Sequence, residues 1–397
     1  MNPTNCLFYL LLIICALNTT HNAVYNQCLL YINQDFQADP YKIKLTLTVY
    51  FAAIFLCRCF LGYLSDSCSG RKCILWALAI AILGHGMAML SCNVDMFIAA
   101  RLFQGLGLGG GQVMGLVILM QIFSSRGRAS IVASEQVFFS LASIFLPIMG
   151  SLFSRNISWR LTFVVYFVFT CLAFAYFVFF QKPDTNNKPS IELTVNNDKQ
   201  KKTSILWNKK FMFPTLMACF SISSYILWGS YFSLLIHHYD IPLPYLLMYQ
   251  LIPIVPYFAC SLLFKKLTKN ISKRRLYHRI LSLQIATFCA IFLLIFWNKT
   301  TVSFKFMLLI PIVLHNLAGS FFRPLMQEKA LCSVPNNRIG IASSFISICQ
   351  VGINAIFSII INSNNQFIIT FVCIQTFISV AIITYLGYQL THEKVLA

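Results

Sequence analysis

Long apolar runs separated by short polar segments follow one another along the whole chain. Each run holds about 20 residues with few charges, which is the length that a helix needs to cross the hydrocarbon core of a bilayer. The pattern predicts twelve spans, at 6–30, 43–63, 73–92, 96–122, 131–154, 160–180, 211–236, 243–264, 280–297, 304–326, 339–361 and 367–390. We therefore expect an all-α integral membrane protein.

The composition agrees with this prediction and argues against a soluble protein. Of the 397 residues, 58% are hydrophobic and 10% are charged, and the mean hydropathy is +0.72. A soluble globule of this size exposes more polar surface than so few charged residues supply. The apolar N-terminus lacks a basic region and a small-residue cleavage site, so it is predicted as the first transmembrane helix and not as a signal peptide.

The positions of the positive charges give the orientation of the chain. A net charge of +19 suggests nucleic-acid binding in a soluble protein. If the N-terminus is cytoplasmic, however, most Lys and Arg residues fall in inner loops, and the outer loops hold only Lys42, Lys44, Arg155, Arg160, Lys299 and Lys305. This asymmetry follows the positive-inside rule. We predict a multi-pass protein of the cytoplasmic (inner) membrane with both termini in the cytoplasm, and its cations facing lipid and cytosol, not nucleic acid.

The longest polar segment, residues 181–210, divides the predicted spans into two sets of six. We predict an N-terminal six-helix bundle over 1–180, a cytoplasmic linker over 181–210 and a C-terminal six-helix bundle over 211–397. Two equal halves are typical of transporters built from repeats. No segment is long enough for a soluble domain, so we expect the function to lie among the helices of a monomer.

The fifteen cysteines lie mostly singly inside apolar runs, with no CxxC pair and no histidine at ligand spacing. Such cysteines are usually small buried hydrophobic residues. We expect neither a metal site nor a cofactor.

A short polar turn between the second and third spans carries a recognisable pattern. Gly62, Leu64, Ser65 and Asp66 are followed by Gly70, Arg71 and Lys72. This turn resembles the loop signature of the major facilitator superfamily, although three residues instead of two separate Asp66 from Gly70. The resemblance implies the major facilitator fold of twelve helices, in which this loop latches the cytoplasmic side. The residues that we expect to form the latch are Gly62, Asp66, Gly70, Arg71, Lys72, Arg128 and Glu135.

Other segments extend the resemblance over nearly the whole chain. ARLFQGLGLGGG, with Arg101 and Gln104, is similar to the fourth-helix motif of the superfamily, SRGRAS to the following loop and SWRLTF to the start of the sixth helix. In the second half, RPLMQEKAL and GIASSFISICQ resemble the Bcr/CflA drug-resistance branch. That resemblance implies a proton-coupled exporter of drugs.

The departures from that branch point away from cationic drugs. Ala23 stands near the place of the branch's first-helix acid, and Arg58 stands where the branch has a glutamine. The helix-four arginine and Arg-Asp pair of the branch are replaced by Leu116, Met120 and Gln121. Each difference weakens the expectation of a proton-driven cation exporter.

Ionisable residues at bilayer depth are costly and mark functional sites. Arg58, Arg101 and Arg323 are the intramembrane cations, and Glu135 is the one acid beside them. Each has a structural alternative: Arg58 snorkels to headgroups, Arg101 bonds to a facing backbone, and Arg323 satisfies a carbonyl freed by Pro324. Glu135 is a better partner for the latch than a proton carrier.

The first span also holds an unusually polar stretch around His21. Thr19, Asn22 and Asn26 share one helical face, which lipid would not tolerate, so that face is predicted to line a cavity. His85 and His315 are more often satisfied core residues, although a free histidine side chain titrates near neutral pH, which makes each of the three histidines a candidate for the missing acid in proton coupling. The candidate binding and coupling residues are Arg101, Arg58, Arg323, His21, Asn22, Asn26 and Gln104.

The leading hypothesis is a secondary transporter with alternating access that moves a small polar or anionic organic solute, such as a carboxylate metabolite or siderophore, with protons as the candidate coupling ion. Guanidinium groups bind carboxylates bidentately, and hardly any acid is present to receive a cation. The alternative is a proton-coupled multidrug efflux antiporter of the Bcr/CflA type. A membrane enzyme is not expected, because HExxH, GxSxG and paired intramembrane aspartates are absent from the sequence. A solute sensor is disfavoured because the linker is too short for an output domain.

Overall fold

The described part of the chain is helical. The computed structural model describes residues 3–64, 70–122, 128–180, 208–238, 309–334 and 339–363, together with scattered positions between 248 and 290. Its helices there are α1 (Pro3–Phe36), α2 (Pro40–Leu64), α3 (Gly70–Met89), α4 (Val94–Ile122), α5 (Arg128–Asn156), α6 (Trp159–Phe179), α7 (Lys209–His238), α8 (Leu309–Cys332) and α9 (Ile339–Ser363). These correspond to nine predicted spans; the predicted spans at 243–264, 280–297 and 367–390 lie wholly or largely outside the described residues.

Several of these helices are long and apolar enough to cross a bilayer by length and composition alone. Pro40–Phe60, Gly70–Met89 and Trp159–Phe179 meet that standard, and Leu7–Leu17 with Thr20–Phe36 would add a fourth span bent by 42°. The Thr20 hydroxyl donates to the Ala16 carbonyl at 2.7 Å, next to this bend. A hydroxyl bonded back to the preceding turn often bends a helix. The bend lies directly before His21.

The chain divides into two compact units. One holds α1 to α6, and the other holds α7, α8 and most of α9. The three-part division into 1–180, 181–210 and 211–397 stays a prediction, because residues 181–207 lie outside the described residues.

Within the first unit, α4 is the central helix. It packs against α2, α3 and α1, while α6 packs against α3 and α5 packs against α1. Around the first half of α1 and the start of α3 the core is apolar, built from residues such as Leu11, Leu12 and Ile74. Buried polar side chains such as His21, Arg101 and Gln104 lie in the other half of the bundle, around the first turns of α4.

The predicted outer end of this unit is closed by ion pairs and aromatic rings. Lys42 at the start of α2 lies 2.7 Å from Asp95 on α4, and Arg160 on α6 lies 2.6 Å from Asp35 on α1. Phe97 stacks edge-on against Trp159, with 5.6 Å between ring centroids. The Phe97 and Trp159 rings lie between the ion pairs and the deeper polar residues.

Candidate functional site

Glycines on α3 and α4 bring three helices close together. A Cβ atom at Gly105 would lie 2.6 Å from the Tyr50 carbonyl oxygen, and one at Gly84 would lie 2.5 Å from the Gln104 amide nitrogen. Real Cβ atoms essentially never approach so closely, so α4 can lie this near to α2 and α3 only without side chains at these points. The same packing turns Arg101 and Gln104, which are three residues apart, into the interior.

Arg101 is fully buried between two tyrosine rings. Its guanidinium carbon lies 4.1 Å from the centroid of the Tyr25 ring and 3.9 Å from that of the Tyr50 ring, and its exposed fraction is 0%. A cation over an aromatic face gains about 2 kcal/mol when both are desolvated. Arg101 lies seven residues after Val94, which places it roughly 10 Å into α4 and well below the ends of the bundle.

A hydrogen-bond network extends from Arg101 to both histidines of the unit. The Arg101 Nη1 lies 3.3 Å from His21 Nδ1 and donates to Gln104 Oε1 at 3.0 Å. The Gln104 Nε2 donates to the Gly84 carbonyl at 3.3 Å and lies 3.3 Å from His85 Nδ1. The two imidazole rings are 5.2 Å apart. Sequence positions 21, 84, 85, 101 and 104 thus meet in one place.

The guanidinium decides the direction of every bond in this network, because arginine only donates. His21 Nδ1 and Gln104 Oε1 must accept, so the Gln104 amide group donates to His85 Nδ1. Each imidazole is therefore neutral here and carries its proton on Nε2.

The atoms of the network that remain without a partner are all donors. Arg101 Nε, Arg101 Nη2 and His85 Nε2 are buried and make no hydrogen bond to any described residue. The ion pairs found in the described part of the chain join Lys42 to Asp95 and Arg160 to Asp35, so no described carboxylate neutralises Arg101. The Nε and Nη2 atoms form the guanidinium edge that binds a carboxylate through two parallel hydrogen bonds.

The other predicted residues of the first unit occupy different places. Arg58 is buried on α2, and its Nη2 donates to Gln112 Oε1 on α4 at 2.5 Å. This contact holds the guanidinium inside the bundle, whereas simple snorkelling would extend it to the headgroups. Asn22 and Asn26 are buried on α1. Their role in lining a cavity stays a prediction.

The loop signature lies partly within the described residues. Gly62 is in the last turn of α2, Gly70 begins α3, and Asp66 lies outside the described residues. Arg71 donates from Nε and Nη2 to the Phe177 carbonyl at 3.2 and 2.9 Å. It thereby caps the end of α6, where free carbonyls favour a cation.

The remaining members of the predicted latch are exposed or not described beyond the backbone. Lys72 is exposed. Arg128 and Glu135 lie on α5, and their side chains are outside the described part. The latch stays a prediction.

The described part of the second unit contains a polar cluster in which no cation is buried. His315 and Asn316 on α8 are 2% exposed, and Ser221 on α7 is 3% exposed. The His315 Nε2 lies 3.3 Å from the Ser221 carbonyl oxygen. Arg323, on the same helix, is half-buried.

Sequence reasoning identified Arg101, Gln104 and His21 but not the tyrosines around them. Tyr25 follows His21 by four residues and so shares its face of α1, which is a signal that the sequence contains. Tyr50 carries no comparable signal, because its contact with Arg101 depends on the rotation of α2 relative to α4. In the described ranges, no group of three His, Cys, Asp or Glu side chains is arranged to hold a metal ion.

Comparison with known proteins identifies the family and the fold. The family model described as Major Facilitator Superfamily matches residues 10–358. A solved structure of a D-xylose-proton symporter covers 95% of this chain, and 96% of its own, with a TM-score of 0.74 at 13% identity. The likeness at this identity shows the fold.

Curated relatives match a shorter part of the chain. The "Efflux pump dotC" of Dothistroma septosporum is 31% identical over 131 residues, which is 33% of this chain and 23% of that protein. The "Azole resistance protein 1" of Saccharomyces cerevisiae is 28% identical over 122 residues, 31% of this chain and 20% of that protein. The aligned segments thus span less than a quarter of the length of either relative.

Proposed function

We propose that this chain, which belongs to the Major Facilitator Superfamily of transporters, is a secondary transporter. Its solute would be a small organic anion, such as a carboxylate metabolite or siderophore. The transporter would work by alternating access in the cytoplasmic membrane with both termini inside, as a monomer. Arg101 would bind the solute carboxylate through its Nε and Nη2 atoms when the bundle opens.

One observation carries this proposal: the buried network around Arg101 ends only in donors. A lipophilic cation would find no acceptor on Arg101, and the guanidinium would repel it. A carboxylate would neutralise the buried charge and satisfy two donors at once. Since a buried charge without a counter-ion is costly, a carboxylate bound to this edge would lower that cost.

The second candidate function is proton-coupled multidrug efflux of the Bcr/CflA type. It is favoured by the names of the curated relatives, an efflux pump and an azole resistance protein. Those alignments cover a limited part of each relative, and azoles and many exported metabolites are not anions. The two functions therefore differ in the charge of the solute that they require.

A thermal-shift experiment on the purified protein separates the two candidates. The ligands are three carboxylates (citrate, succinate and glutamate) and two lipophilic cations (tetraphenylphosphonium and ethidium). A ligand present at 100 times its dissociation constant stabilises the protein by about 2.7 kcal/mol. We expect stabilisation by at least one carboxylate, and loss of that stabilisation in Arg101→Ala.

Arg160→Ala is the matched control, because it removes an arginine from a partly exposed ion pair at the bundle end. It should keep the carboxylate response of the wild type. Stabilisation by the cations alone, unchanged in Arg101→Ala, would contradict an anion carrier and favour drug efflux.

A further inference from the structure

The three histidines that are buried in the described part of the chain differ in whether a nitrogen is available to accept a proton. In the first unit, His21 Nδ1 accepts from Arg101, and His85 Nδ1 accepts from Gln104. Protonation of either Nδ1 would place a second N–H against an existing donor and break the network. These two rings are therefore held neutral by their hydrogen bonds.

His315 in the second unit has the opposite arrangement. Its Nε2 lies 3.3 Å from the Ser221 carbonyl oxygen, and a carbonyl only accepts, so Nε2 carries the proton. The Nδ1 atom then holds a free lone pair, is buried, and has no hydrogen-bond partner among the residues described. A proton can bind there without breaking any contact of the ring, and the bond to Ser221 becomes charge-assisted.

Among the described residues, none supplies a charge at His315 that would already fill this role. Among the titratable or charged side chains that the structure describes on the helices of its unit, α7 contributes Lys209, Lys210 and Cys219, α9 contributes Cys349, and α8 contributes Arg323 and Lys329 besides His315. Cys219 interacts with Cys349 and Arg323, whereas no charged group of the described residues acts on His315. Arg323 follows His315 by eight residues, about 12 Å along the helix.

We propose that Nδ1 of His315 is the proton-binding site of this transporter and that one proton is taken up together with the anionic solute. The proposal rests on the proposed function for its solute, but the protonation of His315 can be tested without any solute. Proton binding converts the neutral imidazole to imidazolium by using the Nδ1 lone pair, and deprotonation on the other side restores it. A monoanion carried with one proton moves no net charge across the bilayer.

The first test observes the proton directly. The full chain, labelled with ¹⁵N-histidine and reconstituted in lipid, is titrated by solid-state NMR from pH 8.5 to pH 4. His315→Gln keeps an amide donor for the Ser221 carbonyl, and the signal that it loses is the His315 signal. His315→Asn is a second variant that confirms this assignment. His85→Gln identifies the His85 signal in the same way, and that signal is the control. We expect the His315 signal to change from neutral to protonated and the His85 signal to stay neutral.

The second test observes coupling in proteoliposomes with labelled citrate, succinate and glutamate. With one proton per solute, a gradient of one pH unit supports about tenfold accumulation. We expect His315→Gln to keep exchange of the carboxylate at equal pH and to lose the accumulation driven by the gradient.

The outcomes separate this inference from the proposed function. A His315 signal that stays neutral over the whole titration overturns the inference, and so does His315→Gln with the gradient-driven accumulation of the wild type. If the wild type exchanges none of the three carboxylates, the proposed function fails for these solutes, and the NMR titration still decides whether His315 binds a proton.

Discussion

Arg101→Lys separates the charge of the site from its geometry. Lysine keeps the positive charge but replaces the planar fork by a single nitrogen. That nitrogen cannot bond to His21 Nδ1 and Gln104 Oε1, as Arg101 does at 3.3 and 3.0 Å, and also present two parallel N–H groups to a carboxylate. If charge alone attracted the solute, the variant would bind it normally.

The expected loss follows from the number of hydrogen bonds. A carboxylate on the Nε–Nη2 edge receives two charge-assisted bonds, and lysine supplies at most one of them. The loss of one such bond costs about 1.5–3 kcal/mol, which weakens binding roughly 10- to 150-fold. At a concentration of 100 wild-type dissociation constants, the thermal stabilisation should fall from about 2.7 kcal/mol to about 1.4 kcal/mol for tenfold weaker binding, and to about 0.4 kcal/mol for 100-fold weaker binding.

The assay is thermal unfolding with the carboxylate that stabilises the wild type, over a full concentration series. Arg160→Lys is the matched control, since it makes the same chemical change at the partly exposed bundle end, and its ligand response should equal that of the wild type. Wild-type binding by Arg101→Lys would show that the Nε–Nη2 edge does not hold the solute and would refute the reasoning from the donor network.

Three further predictions concern the scaffold of the first unit, and all are measured by thermal unfolding without ligand. Gly105→Ala should destabilise the protein by about 1–3 kcal/mol through overpacking, because the new Cβ would lie 2.6 Å from the Tyr50 carbonyl oxygen. Gly86→Ala is the control and should be near neutral, because its Cβ would lie 3.5 Å from the Phe167 ring. Equal effects of the two changes would contradict the close packing of α4. Ser158→Ala removes the side chain that accepts from the Arg160 amide at the start of α6 and should cost about 0.5–2 kcal/mol, so an unchanged melting temperature would count against the cap. Asp35→Asn breaks a partly exposed ion pair and should cost less than about 1 kcal/mol; a larger loss would mean that the pair holds the bundle end together.

The sequence predicted the positions of the helices well, because apolar runs are a local pattern, and it indicated Arg101 as one of three candidate arginines. Apolar runs of bilayer length located α1 to α6 within a few residues at most ends, although α1 extends beyond its predicted span, over Pro3–Phe36. The spacing of Arg101 and Gln104 placed them on one face of α4. Gly105, the residue after Gln104, lets α4 approach α2 closely, and this approach explains why that face is buried.

The partners of these residues depend on contacts between helices that no local pattern contains. Gln112 lies 54 residues from Arg58 and bonds to it, and Tyr50 covers Arg101 from another helix. The role of Arg71 shows the same limit. The loop signature predicted Arg71 as a member of the latch, and it did not predict the hydrogen bonds to the Phe177 and Val178 carbonyls with which Arg71 caps α6. Rotation and tilt of the helices decide such contacts.

Which atoms of a buried polar cluster donate hydrogen bonds is the property that is hardest to predict from the sequence. The proposed function depends on that property. Histidine and glutamine each offer a donor and an acceptor, so the sequence alone leaves the polarity of a buried cluster open. One contact with an arginine removes that freedom: it makes His21 and Gln104 accept and so makes His85 an unpartnered donor at Nε2. His315, which bonds to a carbonyl instead of a cation, is left with an acceptor. Under the two proposals, the same residue type would serve an anion in one half of the chain and a proton in the other, and the neighbour of each ring would decide which.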